Sequence, residues 1–187
     1  MKLLRASDHK RMPWKNGGGE TVEIAVSPDG VGLADFDWRV SMATVATDGP
    51  FSVFPGIDRT LSILDGEGMT LFIEGHEAKR LTQASEPLPF AADAPTSATL
   101  IDGTITDLNV MTRRGRFTHS VRRVSVDGDC EIALTGGTGL VLCHRGNAEI
   151  DGMALASGDC LLVSDTNADR RSIAGKALLF QITIAAI

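Results

Sequence analysis

The sequence predicts an all-β protein made of two jelly-roll-like halves, and three features carry that reading. Asp-Gly occurs six times, at 29–30, 48–49, 65–66, 102–103, 127–128 and 151–152. The dipeptide marks hairpins because both residues tolerate positive φ. Between these turns lie short apolar or alternating runs such as TVEIAV, DWRVSMATV, RTLSILD, MTLFIEG, TDLNVM, GLVLCH and KALLFQITIAAI; only RASDHKRM has weak helical character. Short strands at near-regular spacing belong to sandwiches and barrels. Third, segments 61–81 and 140–165 share one plan of apolar strand, glycine turn, alternating strand, glycine and strand. Two packed antiparallel sheets in each half would produce that grammar. The halves are expected at 1–115 and 116–187, with an arginine-rich stretch joining them.

Composition excludes several classes. A chain of 187 residues with 43% hydrophobic and 22% charged residues can bury a proper core, and disorder is not expected. No apolar run approaches the ~18 residues of a membrane span, and the N-terminus lacks the apolar stretch of a signal peptide. Cys130, Cys143 and Cys160 form no C-x-x-C pair; an odd, unpaired set fits a reduced, cytoplasmic protein. A net charge of −6 argues against nucleic acid. The local exception, RRGRFTHSVRR, holds five arginines and one histidine at 113–123; with no aromatic interleaving beyond Phe117, it reads as a solvated connector. Neither a nucleic-acid nor a membrane partner is expected.

Strand alternation then sorts side chains by face. Arg39, Ser41, Ala43 and Val45 share one face of DWRVSMATV. Thr21, Glu23 and Ala25 share a face of TVEIAV, and Asp107, Asn109 and Met111 share a face of TDLNVM. Arg59 lies on the same side of its strand as Leu61 and Ile63. Two readings account for this mixture. It is either a solvated outer face, or the lining of a barrel mouth where Lys15, Arg39, Arg59, Glu23, Asp107 and Asn109 meet. Unpaired charges buried in such a mouth cost several kcal/mol, so they would pair or await a ligand. Both signs occur, which suits a small polar ligand carrying a carboxylate.

PWKNGGGET, at 13–21, fits the second reading. Gly17, Gly18 and Gly19 permit backbone conformations and close approaches closed to other residues. The segment is expected to bring Lys15 and Asn16 over the mouth. There Lys15 supplies a point charge and Asn16 hydrogen bonds, while Arg39 or Arg59 clamps an anionic group. Glu23 and Asp107 would orient the arginines or accept from an N–H of the ligand. The competing reading is a plain connector with Trp14 packed on the barrel.

PWKNGGGETVEIA, FDWRVSMATVATDGPFSVFPGIDRTLSILDGEGMTL and DLNVMTRRG resemble, in order and spacing, the signature stretches of the HutD/Ves family, a cupin-like family. They cover most of residues 13–115; beyond about 120 only the general jelly-roll grammar continues. The resemblance implies a bicupin in a bacterial cytoplasm, connected with histidine utilisation as a regulator or metabolite binder, with no firmly assigned reaction. It places signature residues on Lys15, Asn16, Thr21, Glu23, Arg39, Ser41, Arg59, Asp107 and Asn109, among others, and so favours the pocket reading.

Many cupins bind metal through clustered histidines, but His9, His76, His119 and His144 show no H-x-H and no ligand spacing. Neither metal nor cofactor is expected. P-loop and G-x-S-x-G patterns are absent, and Cys143 reads as core. The expected function is a metal-independent binder of a small acidic metabolite; the resemblance alone implies that it senses or regulates histidine catabolism through an acid such as urocanate or formylglutamate. The alternative is a metal-free isomerase or hydrolase with Glu23 or Asp107 as general base. Jelly-roll edge strands pair readily, so a homodimer stays open, without a specific residue to support it.

Overall fold

The computed structural model describes residues 1–15, 17–166 and 169–187. The strands are β1 (Lys2–Leu4), β2 (Lys10–Pro13), β3 (Gly19–Ser27), β4 (Trp38–Val45), β5 (Gly49–Pro50), β6 (Ile57–Asp65), β7 (Met69–Ile73), β8 (Lys79–Leu81), β9 (Leu88–Ala91), β10 (Thr96–Leu100), β11 (Ile105–Arg113), β12 (Phe117–Leu134), β13 (Gly137–Ile150), β14 (Met153–Ala156), β15 (Cys160–Thr166) and β16 (Asp169–Ala186). One short 3-10 turn, Ala6–Asp8, occupies the weakly helical stretch. The described residues contain no helix long and apolar enough to cross a membrane. They form two compact units, Lys10–Arg116 and the discontinuous set Met1–His9 with Phe117–Ile187.

Within Lys10–Arg116, a six-stranded sheet runs in the order β2-β3-β4-β11-β6-β9 and a four-stranded sheet in the order β5-β10-β7-β8. Ala43, Val45, Leu61, Ile63 and Ile105 of the larger sheet share one buried cluster with Met69, Leu71, Ile73, Leu81 and Ala98 of the smaller. This is the layered core of a β-sandwich, in which alternate residues of each strand face the opposing sheet. The arginines at the end of β11 include the exposed Arg114 and Arg116, in line with a solvated stretch, and they are also paired. Arg113 donates to the carbonyl of Phe36, Arg114 bridges Asp58 and Asp93, and Arg116 pairs with Asp37.

The other unit holds one sheet, ordered β1-β15-β13-β16-β12, with β14 paired to β13. Leu3 and Leu4 pair with Leu161 and Cys160, which ties the first residues of the chain to this unit. Residues from near and far ends of the long strands, including Val141, Leu161, Ile132 and Ile150, pack in one cluster, so the sheet doubles over on itself. A bulge between Cys143 and Arg145 in β13 marks the bend, as bulges do. Cys143 is buried in this core and its thiol is pushed up to about 11, chiefly by burial.

Three sequence expectations change here. Each sheet order has two ends, so the described strands form open sheets rather than two closed barrels. Asp127–Gly128 is not a turn; it lies inside β12, opposite Lys176 and Gly175. The two segments with a common plan also pair differently. Strands β6 and β7 enter different sheets, whereas β13, β14 and β15 stay in one. A run of strands and turns fixes where the chain reverses but not which edge the next strand joins.

Gly175 has φ of +134°, and a Cβ there would sit 2.5 Å from the Asn147 carbonyl oxygen on the adjacent strand. Gly175→Ala is therefore expected to cost roughly 2–3 kcal/mol and lower the Tm by about 5–10 °C. Gly32→Ala, where an added Cβ meets nothing within 4 Å, serves as the neutral control in thermal melts.

Candidate functional site

Antiparallel register aligns three rows of side chains across the six-stranded sheet. One row contains Arg39, Met111, Arg59 and Phe90, the next Glu23, Ser41, Asn109 and Leu61, and the third Thr21, Ala43, Asp107 and Ile63. Directly opposed residues project to the same face, so four strands deliver their polar groups to one surface. That surface does not meet bulk water: Arg39 and Arg59 are each 4% exposed and Asp107 is 1% exposed.

The rows line a cavity of about 690 Å³ lying wholly within Lys10–Arg116. The large sheet contributes Thr21, Arg39, Ser41, Arg59, Asp107, Asn109 and Met111. Opposite them stand Pro50, Phe51 and Ala98, with Phe54, Leu33 and the Met12–Lys15 segment completing the wall. The volume falls in the range of small-molecule sites, as does the pairing of apolar walls with a few convergent polar groups.

The PWKNGGGET segment is the β2–β3 connection. The Gly17 N–H donates to the Trp14 carbonyl, and the Trp14 N–H donates to the Gly19 carbonyl. Gly17 has φ of +72°, and a Cβ on Gly19 would come within 2.1 Å of the Thr44 carbonyl oxygen and 3.0 Å of the Trp14 ring. The glycines thus fold a tight loop that lays the indole on the sheet, where Trp14 Nε1 donates to Thr21 Oγ1 at 2.8 Å. Both readings of this segment meet here: Trp14 packs on the core, and the exposed Lys15 also lines the cavity. Asn16 lies outside the described residues.

The two buried arginines are held differently. Arg39 Nε donates to Glu23 Oε2 at 2.7 Å, and both side chains are largely buried. Glu23 is not part of the lining and acts behind Arg39, fixing its guanidinium. Arg59 has no such carboxylate among the described residues. Its guanidinium lies 5.4, 5.3 and 5.7 Å from the ring centres of Phe51, Phe54 and Phe90, within cation–π range. Its Nε is buried and has no hydrogen-bond partner among the described residues.

Asp107 shares the cavity with Arg59, and no ion pair between them closes among the described residues. Asn109 Nδ2 donates to Asp107 Oδ1. Burial pushes the Asp107 carboxyl up to about 7, against the pull of Arg59, the Asn109 amide and the Ala43 backbone. Burial likewise lowers Arg59 to about 10, with Asp107 acting against that change and Arg39 with it. Each group moves toward its neutral form, so desolvation outweighs their mutual attraction. Among the described residues no cluster of three or more His, Cys, Asp or Glu side chains could hold a metal ion.

Of the residues singled out from sequence, Lys15, Thr21, Arg39, Ser41, Arg59, Asp107 and Asn109 line the cavity, and Glu23 backs it. Strand alternation gives no sign that Phe51, Phe54 and Phe90 gather around Arg59. Backbone bonds from Phe51 N to Thr96 O and from Phe54 N to Ala92 O hold the first two rings in place. The FSVFPG composition carried the signal of an aromatic cluster, but its target lay on a distant strand.

A two-sheet antiparallel unit enclosing a cavity with buried charged groups defines a cupin-like fold. A cupin 2 conserved barrel domain protein from Leptotrichia buccalis superposes with TM-score 0.57 over 95% of this chain and 96% of its own, at 12% identity, a likeness of fold alone. The HutD family model matches residues 6–180, and the chain belongs to that family. HutD from Pseudomonas fluorescens SBW25 is 35% identical with TM-score 0.83, covering 98% of both chains. An uncharacterised 21.2 kDa protein in the hutC 3′ region of Pseudomonas putida is 35% identical over 150 residues, 80% of this chain and 77% of its own. Protein Ves of Citrobacter koseri is 42% identical over 124 residues, 62% of this chain and 61% of its own.

Because the native state holds a proton on Asp107 more tightly than the unfolded chain does, protonation of this group stabilises the fold. That stabilisation is complete below about pH 4 and is lost as pH rises through about 7. The full cost of the buried carboxylate, about 4 kcal/mol from the shift, then stands at pH 8. Asp107→Asn should remove this component. Denaturant melts between pH 5.5 and 8 are expected to show a stability decline in the parent protein that is absent or much smaller in the variant.

Proposed function

We propose that the cavity binds a small acidic metabolite and that the protein serves histidine utilisation through this binding, in a reducing cytoplasm. One observation carries the reading: Arg59 is a buried guanidinium in the wall of a roomy cavity, with an unpartnered Nε. A cation in that position costs several kcal/mol of desolvation, and a ligand carboxylate offsets the cost by supplying both charge and acceptor. Lys15 at the surface end adds positive charge, Arg39 is neutralised by Glu23 but keeps N–H donors in the lining, and Ser41 and Asn109 supply neutral hydrogen-bonding groups. Trp14, Leu33, Pro50 and Phe51 offer an apolar wall to the body of the ligand. The lining side chains provide these charges themselves, so binding requires no metal.

Family membership and the relative in the hutC 3′ region support a place in histidine utilisation. Urocanate and formylglutamate, which carry carboxylates, are the candidate ligands. We read the two units as the two cupin-like halves of a bicupin, with the binding site in Lys10–Arg116. A second reading has one observation in its favour. Asp107 is a buried carboxyl that titrates near neutrality, which suits a general base in a metal-free isomerase or hydrolase.

Calorimetric titration with histidine, urocanate, formiminoglutamate and formylglutamate, each mixture being monitored for product, tests both readings. Saturable heat with unchanged ligand is the expected result; accumulation of product would establish the enzyme, and silence from all four would remove the assignment to this pathway. Arg59→Met should weaken binding about 100-fold or more while leaving the Tm equal or higher, since an apolar chain replaces an incompletely paired buried charge. Arg39→Ala is the less clean test because it strands Glu23 and lowers stability as well.

A further inference from the structure

Asp107 and Arg59 occupy the same cavity, and the ligand proposed above would have to enter between their charges. The arrangement of the remaining charged groups makes this pair decisive. On the neighbouring strands, Arg39 is taken up by Glu23 at 2.7 Å and forms a closed pair of no net charge. Lys15 stands exposed at the cavity's edge. From the β6 side the facing group is Arg59. The inner cavity therefore reduces to one cation, Arg59, and one carboxyl, Asp107.

When Asp107 is ionised, that inner pair is already neutral, and an incoming carboxylate adds an uncompensated buried negative charge. When Asp107 carries a proton, Arg59 is the only inner charge among the described residues and the carboxylate completes it. Asn109 donates to Asp107 Oδ1 and Asp107 is 1% exposed, which opposes a swing of the carboxyl out to water. Its neutral form also has a second oxygen able to donate to a ligand acceptor.

We propose that the site binds its acid together with one proton, taken from solvent onto the Asp107 carboxylate, so that Asp107 sets the pH range in which the ligand is held. The inference rests on the cavity being the ligand site and deepens that reading. It also makes Asp107 a specificity-determining group, since only an anionic ligand gains from the proton; a neutral or zwitterionic one gains far less. The tendency of buried Asp107 to titrate near neutrality places the transition within ordinary cellular conditions.

The test is titration calorimetry with formylglutamate, whose carboxylates do not titrate between pH 6 and 8. Affinity should be about tenfold weaker at pH 8 than at pH 6, as linkage to a group titrating near 7 requires. At pH 8 the heats in Tris and HEPES should differ by the amount corresponding to uptake of nearly one proton, and at pH 5.5 the heats in acetate and MES should agree. Asp107→Asn should bind at pH 8 as tightly as the parent protein binds at pH 6, with no proton uptake. Equal affinity at both pH values, with heats independent of buffer, would overturn the coupling while leaving the binding site intact. No saturable heat at either pH would overturn the assignment of such an acid to the cavity, and the coupling with it. The buffer comparison uses the parent protein alone, so it decides the matter even if the variant folds poorly.

Discussion

A guanidinium kept from water with no carboxylate in contact among the described residues is an unusual thing for a small β-sandwich to maintain, and much of the Lys10–Arg116 unit is arranged around Arg59. Three phenyl rings at 5.3–5.7 Å supply diffuse negative potential, and each such contact contributes about 0.5–2 kcal/mol. Together they make burial tolerable without saturating the hydrogen-bonding capacity of the group. A direct carboxylate partner would have been more stabilising for the free protein and would also have filled the place a ligand can take. The Phe51–Phe54 segment is pinned to the sandwich by backbone bonds at both rings, so the cage is part of the fold rather than a mobile flap.

The contrast between the two buried arginines shows how one sheet face can hold a fixed charge and an available one. Arg39 and Glu23 lie on neighbouring strands, β4 and β3, and close at 2.7 Å. Arg59 is one strand beyond β11, whose Asp107 sits two rows away from it in the register. That offset prevents contact but leaves the charges within the same low-dielectric space, where each disfavours its own ionisation through burial more than it supports the other. Pairing distance, and not the number of charges, separates the closed Arg39–Glu23 pair from Arg59 and Asp107.

The unit made of Met1–His9 and Phe117–Ile187 solves a different problem. It has a single sheet and must bury one face, which it achieves by running 18-residue strands through a bend until the two halves of the sheet face each other. The glycines at that bend permit close backbone approach, as Gly175 does against Asn147. Asp127–Gly128 reads as a hairpin from sequence because the same tolerance of positive φ that makes a turn also lets a long strand bend.

By itself the sequence determined the class of the fold, the strands of the first unit and the face on which each side chain lies, because a strand's period of two is a local property. Thr21, Glu23, Arg39, Arg59, Asp107 and Asn109 were legible as a set for that reason, and the glycine run announced a tight approach. Whether that face met water or a cavity was not legible, because solvation depends on an opposing sheet whose position is set by long-range packing. The partners of individual charges were equally out of reach. Only the register of β3, β4, β11 and β6 decided that Glu23 would close on Arg39 while Asp107 would stop short of Arg59. The same holds for the phenyl cage, assembled from residues 51, 54 and 90 around residue 59, and for the doubled sheet of the second unit. Periodicity specifies direction along one strand; distance between side chains on different strands is a tertiary quantity, and the chemistry of the cavity depends on distance.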